Sequence, residues 1–247
     1  MPVHFGGYDY APAETCYHDV VNMGFTFATD EAALSAYIPE GLELLRPEFT
    51  INFTQSREID WMAGGAYNLI DVFAPVRFRS AAEDLEGIYS FVVWENKTTP
   101  ILTGREKTGV SKLFADIEDL HIFGDKRFTA VSFDCNTFLR LSMTVEGPAD
   151  EQETITPVNA IHWRYIPKIG GPGADLSQLV LFPQRLETQK TWRGSGVVEW
   201  FALTWEQHPT QAHIIQALAG LPTFGPAAVM LTKDKVFLMD SMARVLE

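Results

Sequence analysis

The sequence predicts a mostly β chain of α+β class, folded as one domain over residues 1–247. Its strands form an antiparallel barrel or stacked sheets with a few short helices. Two observations carry this. Strand signals separated by turn chemistry recur along most of the chain, whereas helix signals occur at only two places. No repeat, low-complexity tract or linker interrupts the pattern, and all-β chains of this length often fold as one domain.

The strand signals differ in kind. Residues 138–145 alternate, with Leu139, Leu141, Met143 and Val145 on one face and Arg140, Ser142 and Thr144 on the other, the period of a strand with one wet face. Residues 160–166 alternate too, Ile161, Trp163 and Tyr165 against His162 and Arg164. The run Ile88-Tyr89-Ser90-Phe91-Val92-Val93-Trp94 is apolar almost throughout and reads as buried on both faces. Further strands are expected at 20–28, 49–55, 66–78, 119–123, 127–134, 177–182, 196–204, 227–232 and 235–240. Turns are expected at Asn96-Lys97, Gly124-Asp125, Gly170–Gly173 and Lys233-Asp234. One helix starts at the Thr29-Asp30 cap, presents Leu34, Tyr37 and Ile38, and stops at Pro39. The other runs from Pro209 to Ala219, with Gly220 just past its end.

Composition narrows the function. The formal net charge is −13, which repels nucleic acid and anionic membrane surfaces. The opening Met1-Pro2-Val3-His4-Phe5 has no basic segment followed by an apolar run, and no stretch is long enough to span a bilayer. Cys16 and Cys135 show no metal-type spacing and read as reduced thiols of a cytoplasmic protein. The six histidines make neither HxH nor HExxH, so no metal site is expected. The Gly170–Gly173 loop lacks phosphate-cradle spacing, and Gly194-Ser195-Gly196 does not fit a hydrolase elbow.

One segment stands apart. In residues 100–117, Gly104-Arg105-Glu106 follows the buried-looking strand, and Lys112 then falls among Val110, Leu113 and Phe114. Taken alone, such a lysine is ordinarily a surface residue on a loop. The segment, however, resembles the signature of the acetoacetate decarboxylase-like superfamily: a strand, Gly-Arg-Glu, a small residue, then Pro-Lys-Lys. Tyr37-Ile38-Pro39-Glu40-Gly41-Leu42-Glu43 resembles the family's helix-to-strand element, and Tyr67 with Pro75-Val76 resembles its tyrosine strand. The resemblance implies a barrel-like core of antiparallel strands, a homo-oligomer, and Lys112 as the imine-forming lysine.

The chemistry explains why a lysine is wanted. A free amine attacks a carbonyl, and the protonated imine becomes an electron sink without metal or organic cofactor. A model lysine is almost wholly protonated at neutral pH, so such a site must disfavour the charged amine. Here the family's second lysine is Leu113, so the expectation is an apolar pocket formed by Val110, Leu113 and Phe114, with Arg105 the only cation in the motif.

Three departures bear on the substrate. Leu69 and Asn52 stand where decarboxylases carry acids, and the substrate-binding arginine aligns near Val20. These point to different chemistry on the same imine: an aldolase-dehydratase acting on a small oxo acid and an aldehyde. The alternatives are a β-keto acid decarboxylase and a non-catalytic small-ligand-binding barrel. Tyr67 is the general acid/base candidate or else a barrel-filling aromatic. The resemblance to branches that condense pyruvate with aldehydes implies a substrate contact at Thr108, four residues before Lys112. Arg105 either holds a substrate carboxylate or pairs structurally with Glu106. Arg57, Glu58 and Asp60 are alternative polar groups, or else a solvated loop.

Overall fold

Strand-forming residues dominate the chain from Thr15 onward. The computed structural model, which describes residues 3–5, 12–150 and 153–247, joins them in one hydrogen-bonded sheet. Met1 and Pro2 of the opening segment lie outside the described residues. Strand β1 (Thr15–Ala28) leads through helix α1 (Glu31–Ser35) to β2 (Leu42–Leu44), β3 (Glu48–Ile59), β4 (Gly65–Arg79) and β5 (Asp84–Glu95). Helix α2 (Thr98–Lys107) precedes β6 (Lys112–Phe114), β7 (Asp116–Ile117), β8 (His121–Phe123), β9 (Lys126–Phe133) and β10 (Asn136–Asp150). Then come β11 (Thr154–Pro167), the long β12 (Ala174–Trp200), α3 (Ala212–Ala219), β13 (Phe224–Leu238) and β14 (Arg244–Val245).

Seven strands follow one another in the order β11-β5-β4-β3-β1-β13-β12, and β12 pairs back onto β11. The ring is therefore closed, which leaves it no open edge. Its pairings are antiparallel except β11 with β5; outside it, β6 also runs parallel to β5. The far half of β12 leaves the ring, and its residues Thr191–Trp200 pair with β10, which continues to β9 and β7.

Side-chain alternation divides the ring strands between two roles. Met23, Phe25, Phe53, Ile70 and Trp94 point away from the barrel axis and meet Phe138 of β10 and Ile215 of α3 in the main core. Each fully buried side chain of this size contributes about 1.5–3 kcal/mol relative to exposure. Their neighbours Asn22, Asn52, Leu69, Asp71 and Glu95 face a cavity inside the ring.

Local chemistry accounts for the element ends. The Asp30 carboxylate accepts from the Ala33 amide at 2.8 Å, the cap that starts α1. Helix α3 begins at Ala212, three residues after Pro209, and ends before Gly220. Three expectations need correction. Lys233-Asp234 is no turn: β13 runs through it, and the wholly buried Asp234 carboxylate accepts through Oδ2 from the Asn22 amide at 2.7 Å and from the Thr232 hydroxyl. The segments at 177–182 and 196–204 belong to a single strand that ends at Trp200. His162, expected on a wet face, is 4% exposed, whereas its neighbour Trp163 is 41% exposed. Among the described residues, no helix is long and apolar enough to cross a membrane.

Candidate active site around Lys112

The site is assembled by the β5–α2–β6 segment. Helix α2, which sequence reasoning missed, occupies the Gly-Arg-Glu segment; Pro100 lies in its first turn, where a missing N–H costs nothing. The chain reverses at Gly109, whose φ is +73°. A Cβ there would lie 2.3 Å from the Arg164 side chain, so both conformation and space demand glycine. The reversal returns β6 alongside β5, with Lys112 opposite Val93.

Lys112 lies across the helix. A Cβ on Gly104 would come within 2.6 Å of Lys112 Cε and 2.8 Å of Nζ, so Gly104 is the gap through which the lysine passes. Its amine donates to the Pro100 carbonyl at 3.1 Å and stands 2.8 Å from Glu95 Oε1. The Lys112 side chain is 13% exposed and that of Glu95 not at all. Burial pushes the Glu95 carboxyl above its ordinary pKa, and the Lys112 charge only partly offsets this.

Two cavities meet at this lysine. The inner one, of about 530 Å³, lies within the ring; the outer one, of about 690 Å³, opens between α2 and the segments around Ala13 and Asp240. Lys112, Val110, Tyr17, Phe182 and Leu238 line both.

Three further groups with acid–base capacity face the inner cavity. Asp71, on the same face of β4 as Tyr67 and Leu69, accepts from the Ser90 hydroxyl at 3.1 Å through Oδ2. Its Oδ1 is buried without a hydrogen-bond partner among the described residues. Burial raises its pKa to about 7. His162 is held neutral, its pKa lowered to about 3 by burial and then by the Lys112 charge, and its Nδ1 is likewise unpartnered. The Tyr67 hydroxyl lies 3.2 Å from that of Tyr17, which accepts from the Trp61 indole at 2.9 Å. Burial drives Tyr67 well above the usual phenol range and Tyr17 to about 12, so both are neutral donors at physiological pH.

The sequence candidates divide between wall and support. Lys112, Tyr67, Asn52 and Leu69 line the inner cavity, and Thr108 the outer one, where its hydroxyl donates to the Gly104 carbonyl at 3.1 Å. Leu113 does not face Lys112: alternation turns it into the main core, and Phe114 is partly exposed. The expected apolar pocket of Val110, Leu113 and Phe114 therefore reduces to Val110, with Phe182 and Leu238 completing the wall. Arg105 is exposed and donates to the Lys112 carbonyl at 2.9 Å, a structural role away from the lining. Glu106 uses its carbonyl to accept from Arg164 at 2.9 Å and is absent from both linings. Arg57 is engaged by Asn68 and Asp119, outside the cavities. Glu95, Asp71, His162 and Tyr17 escaped sequence reasoning. Among the described residues, no group of three or more His, Cys, Asp or Glu side chains is placed to hold a metal ion.

A lysine buried against a carboxylate thus stands at the wall of a closed strand ring, and comparison with known proteins gives the family. The acetoacetate decarboxylase (ADC) family model matches residues 1–236, and the chain belongs to that family. No curated protein matches it. Among solved structures, an acetoacetate decarboxylase shares 17% identity at a TM-score of 0.77, covering 100% of this chain and 93% of the other. The enzyme from Legionella pneumophila subsp. pneumophila str. Philadelphia 1 shares 18% at 0.76, covering 100% and 92%. The enduracididine biosynthesis enzyme MppR, solved with pyruvate, shares 15% at 0.73, covering 100% and 95%.

Proposed function

We propose that this chain is an imine-forming carbon–carbon lyase of the aldolase-dehydratase type, with Lys112 as the nucleophile. The observation that carries the reading is the 2.8 Å contact between the Lys112 amine and the buried Glu95 carboxylate, at the junction of two cavities. A buried ion pair is costly to desolvate. Moving a proton from the ammonium to Glu95 converts it into a neutral pair and frees the amine. The amine nitrogen then bonds to the substrate carbonyl carbon. Glu95 returns its proton as the carbonyl oxygen departs in water, leaving an iminium beside a carboxylate.

From the iminium, loss of an α-proton to Asp71 gives an enamine that can attack an aldehyde carbon, forming the new carbon–carbon bond. Tyr67, a neutral phenol, is the donor suited to the hydroxyl that leaves in dehydration. MppR has been captured with the condensation product of pyruvate and imidazole 4-carboxaldehyde, which supports this reaction type for the fold. Decarboxylation of a β-keto acid uses the same iminium. Asp71, two residues beyond Leu69 on the same face, is the observation in its favour; Val20, in place of an arginine, weighs against it.

The test is reductive trapping. Borohydride in the presence of a panel of carbonyl compounds should add mass to the peptide carrying Lys112, and Lys112→Ala should abolish the adduct. Labelling confined to other lysines would overturn the proposal.

A further inference from the structure

The charges lining the two cavities do not balance for an oxo acid. Lys112 is the one cation of the inner wall among the described residues, and Glu95 already stands against it. The outer cavity adds Lys107, which lies 3.2 Å from Asp240. No arginine lines either cavity among the described residues: Arg57 is held by Asn68 and Asp119, Arg105 donates to the Lys112 carbonyl, and Arg164 donates to the Glu106 carbonyl. The residues outside the described set include no Lys, Arg or His. Once Lys112 becomes an iminium, Glu95 matches its charge. A substrate carboxylate would then be a second anion in the same enclosed space, with Asp71 as a third acid and no cation to receive it. Burying an unmatched charge is among the costliest events in a protein interior.

The wall is instead equipped for uncharged oxygen. The strand register places Lys112, Val93, Asp71, Asn52 and Gly24 opposite one another on β6, β5, β4, β3 and β1, a single belt around the barrel. Asn52 thus stands three strand spacings from Lys112, each about 4.8 Å along the wall. It belongs to a hydrogen-bonded network: the Asn22 side-chain carbonyl accepts from the Asn52 amide at 3.1 Å and from the Thr54 hydroxyl at 2.6 Å, while the Asn22 amide donates away from the cavity wall to the buried Asp234 carboxylate at 2.7 Å. Gly24 keeps the space beside Asn52 open, since a Cβ there would lie 3.3 Å from Asn52 Oδ1. On the belt, Asp71 Oδ1 is a buried polar atom without a partner among the described residues, and so is Nδ1 of His162, which lines the same cavity from β11. The cavity's 530 Å³ also falls in the range that accepts ligands well beyond three carbons.

We infer that the imine-forming substrate is an uncharged ketone or aldehyde carrying a hydroxyl several bonds from the reacting carbon. Oxo acids are then poor ligands of this barrel. The inference rests on Lys112 being the imine-forming residue. It departs from the oxo acid expected from sequence and gives the two ends of the belt separate tasks. Lys112 takes the carbonyl, and the Asn22–Asn52–Thr54 network takes the distal oxygen.

The test uses three five-carbon ketones that differ only at the far end: 5-hydroxy-2-pentanone, 2-pentanone and 4-oxopentanoate, with pyruvate alongside. Each is titrated against the wild-type protein under cyanoborohydride, and the Lys112 adduct is read by mass spectrometry. The hydroxy ketone should reach half-maximal labelling at about 100-fold lower concentration than either acid. It should also outperform 2-pentanone, and in Asn52→Leu the two ketones should reach half-maximal labelling at the same concentration. Equal or better labelling by 4-oxopentanoate or pyruvate would overturn the inference and leave the imine reading intact. A hydroxy ketone no better than 2-pentanone would overturn the distal-oxygen assignment. No Lys112 adduct with any of the four would remove the imine reading, and this inference with it.

Discussion

Glu95 sits two residues past the register partner of Lys112 on the adjacent parallel strand, yet its carboxylate reaches the Lys112 amine at 2.8 Å. The lysine therefore leans along the strand, toward the end of β5, to meet it. If Glu95 accepts the proton that frees the amine, Glu95→Gln keeps the shape and removes the acceptor. Trapping at pH 7 should slow by about 10²–10⁴-fold, the usual cost of losing a positioned acid or base. Far-ultraviolet circular dichroism should be unchanged. Trapping at the wild-type rate would exclude Glu95 from the proton path.

Gly104→Ala separates helix stability from lysine placement. Alanine is the better helix former by about 1 kcal/mol, so propensity alone favours the variant. The added methyl would fall 2.6 Å from Lys112 Cε, however, and must displace the amine. We expect a melting temperature equal to or above the parent's, together with a 10–100-fold loss of trapping rate, the order of cost set by a misplacement of about 1 Å. A variant that traps normally would show that the lysine reaches its substrate from another rotamer.

Asp71 makes stability depend on pH. Its pKa rises from 3.8 to about 7 on folding, so the folded chain keeps a proton that the unfolded chain releases between those values. That contribution is fully present below about pH 4 and is lost as pH rises through 7. Asp71→Asn abolishes the dependence. Relative to the parent, the variant should gain stability with increasing pH up to about pH 8, by at most about 4 kcal/mol at 1.4 kcal/mol per unit. Denaturant melts across pH 4–9 measure this, and a difference independent of pH would place Asp71 in contact with bulk water.

Asn68 ties the barrel to the chain that follows the site. Wholly interior at 1% exposure, it donates to the Asp119 carboxylate at 2.8 Å and to the Ile117 and Glu118 carbonyls at 3.2 Å, and it accepts from Arg57 at 2.9 Å. Asn68→Leu strands several of these buried partners at about 1–3 kcal/mol each. A loss of about 2–4 kcal/mol in chemical denaturation is expected, with Lys112 trapping retained at low temperature.

These residues show what could be read from sequence. Lys112 is legible because a motif spacing marks it, and β10 and part of β11 because they alternate. Glu95 is not legible: an acid at the end of an apolar run reads as the exit from a strand, and only tertiary closure shows that it is buried and paired. Asp71 leaves a trace, a lone acid inside a strand that is otherwise apolar on the cavity face, four residues from Tyr67. His162 misleads because polarity alone assigned its face, and inside this ring the polar face is the enclosed one. Leu113 fails for the opposite reason. Sequence proximity to Lys112 suggested contact, but strand alternation sends adjacent residues to opposite sides. Helix α2 lacks the apolar periodicity that announces a helix, since it covers one side of the cavity with threonine and glycine.

The alternation along β1, β3, β4 and β5 also shapes how such a protein changes over time. Odd and even positions of the same four strands answer to different demands, one set to cohesion and its neighbours to the guest molecule. A lineage can rewrite the guest-facing set, exchanging asparagine for acid or valine for arginine, while every anchor of the core stays in place. A one-residue slip in pairing would exchange the two sets at once and ruin both. Such a wall can therefore change by single-residue replacement at alternate positions, while an added residue must be taken up by a bulge, as between β4 and β5 at Val72–Phe73.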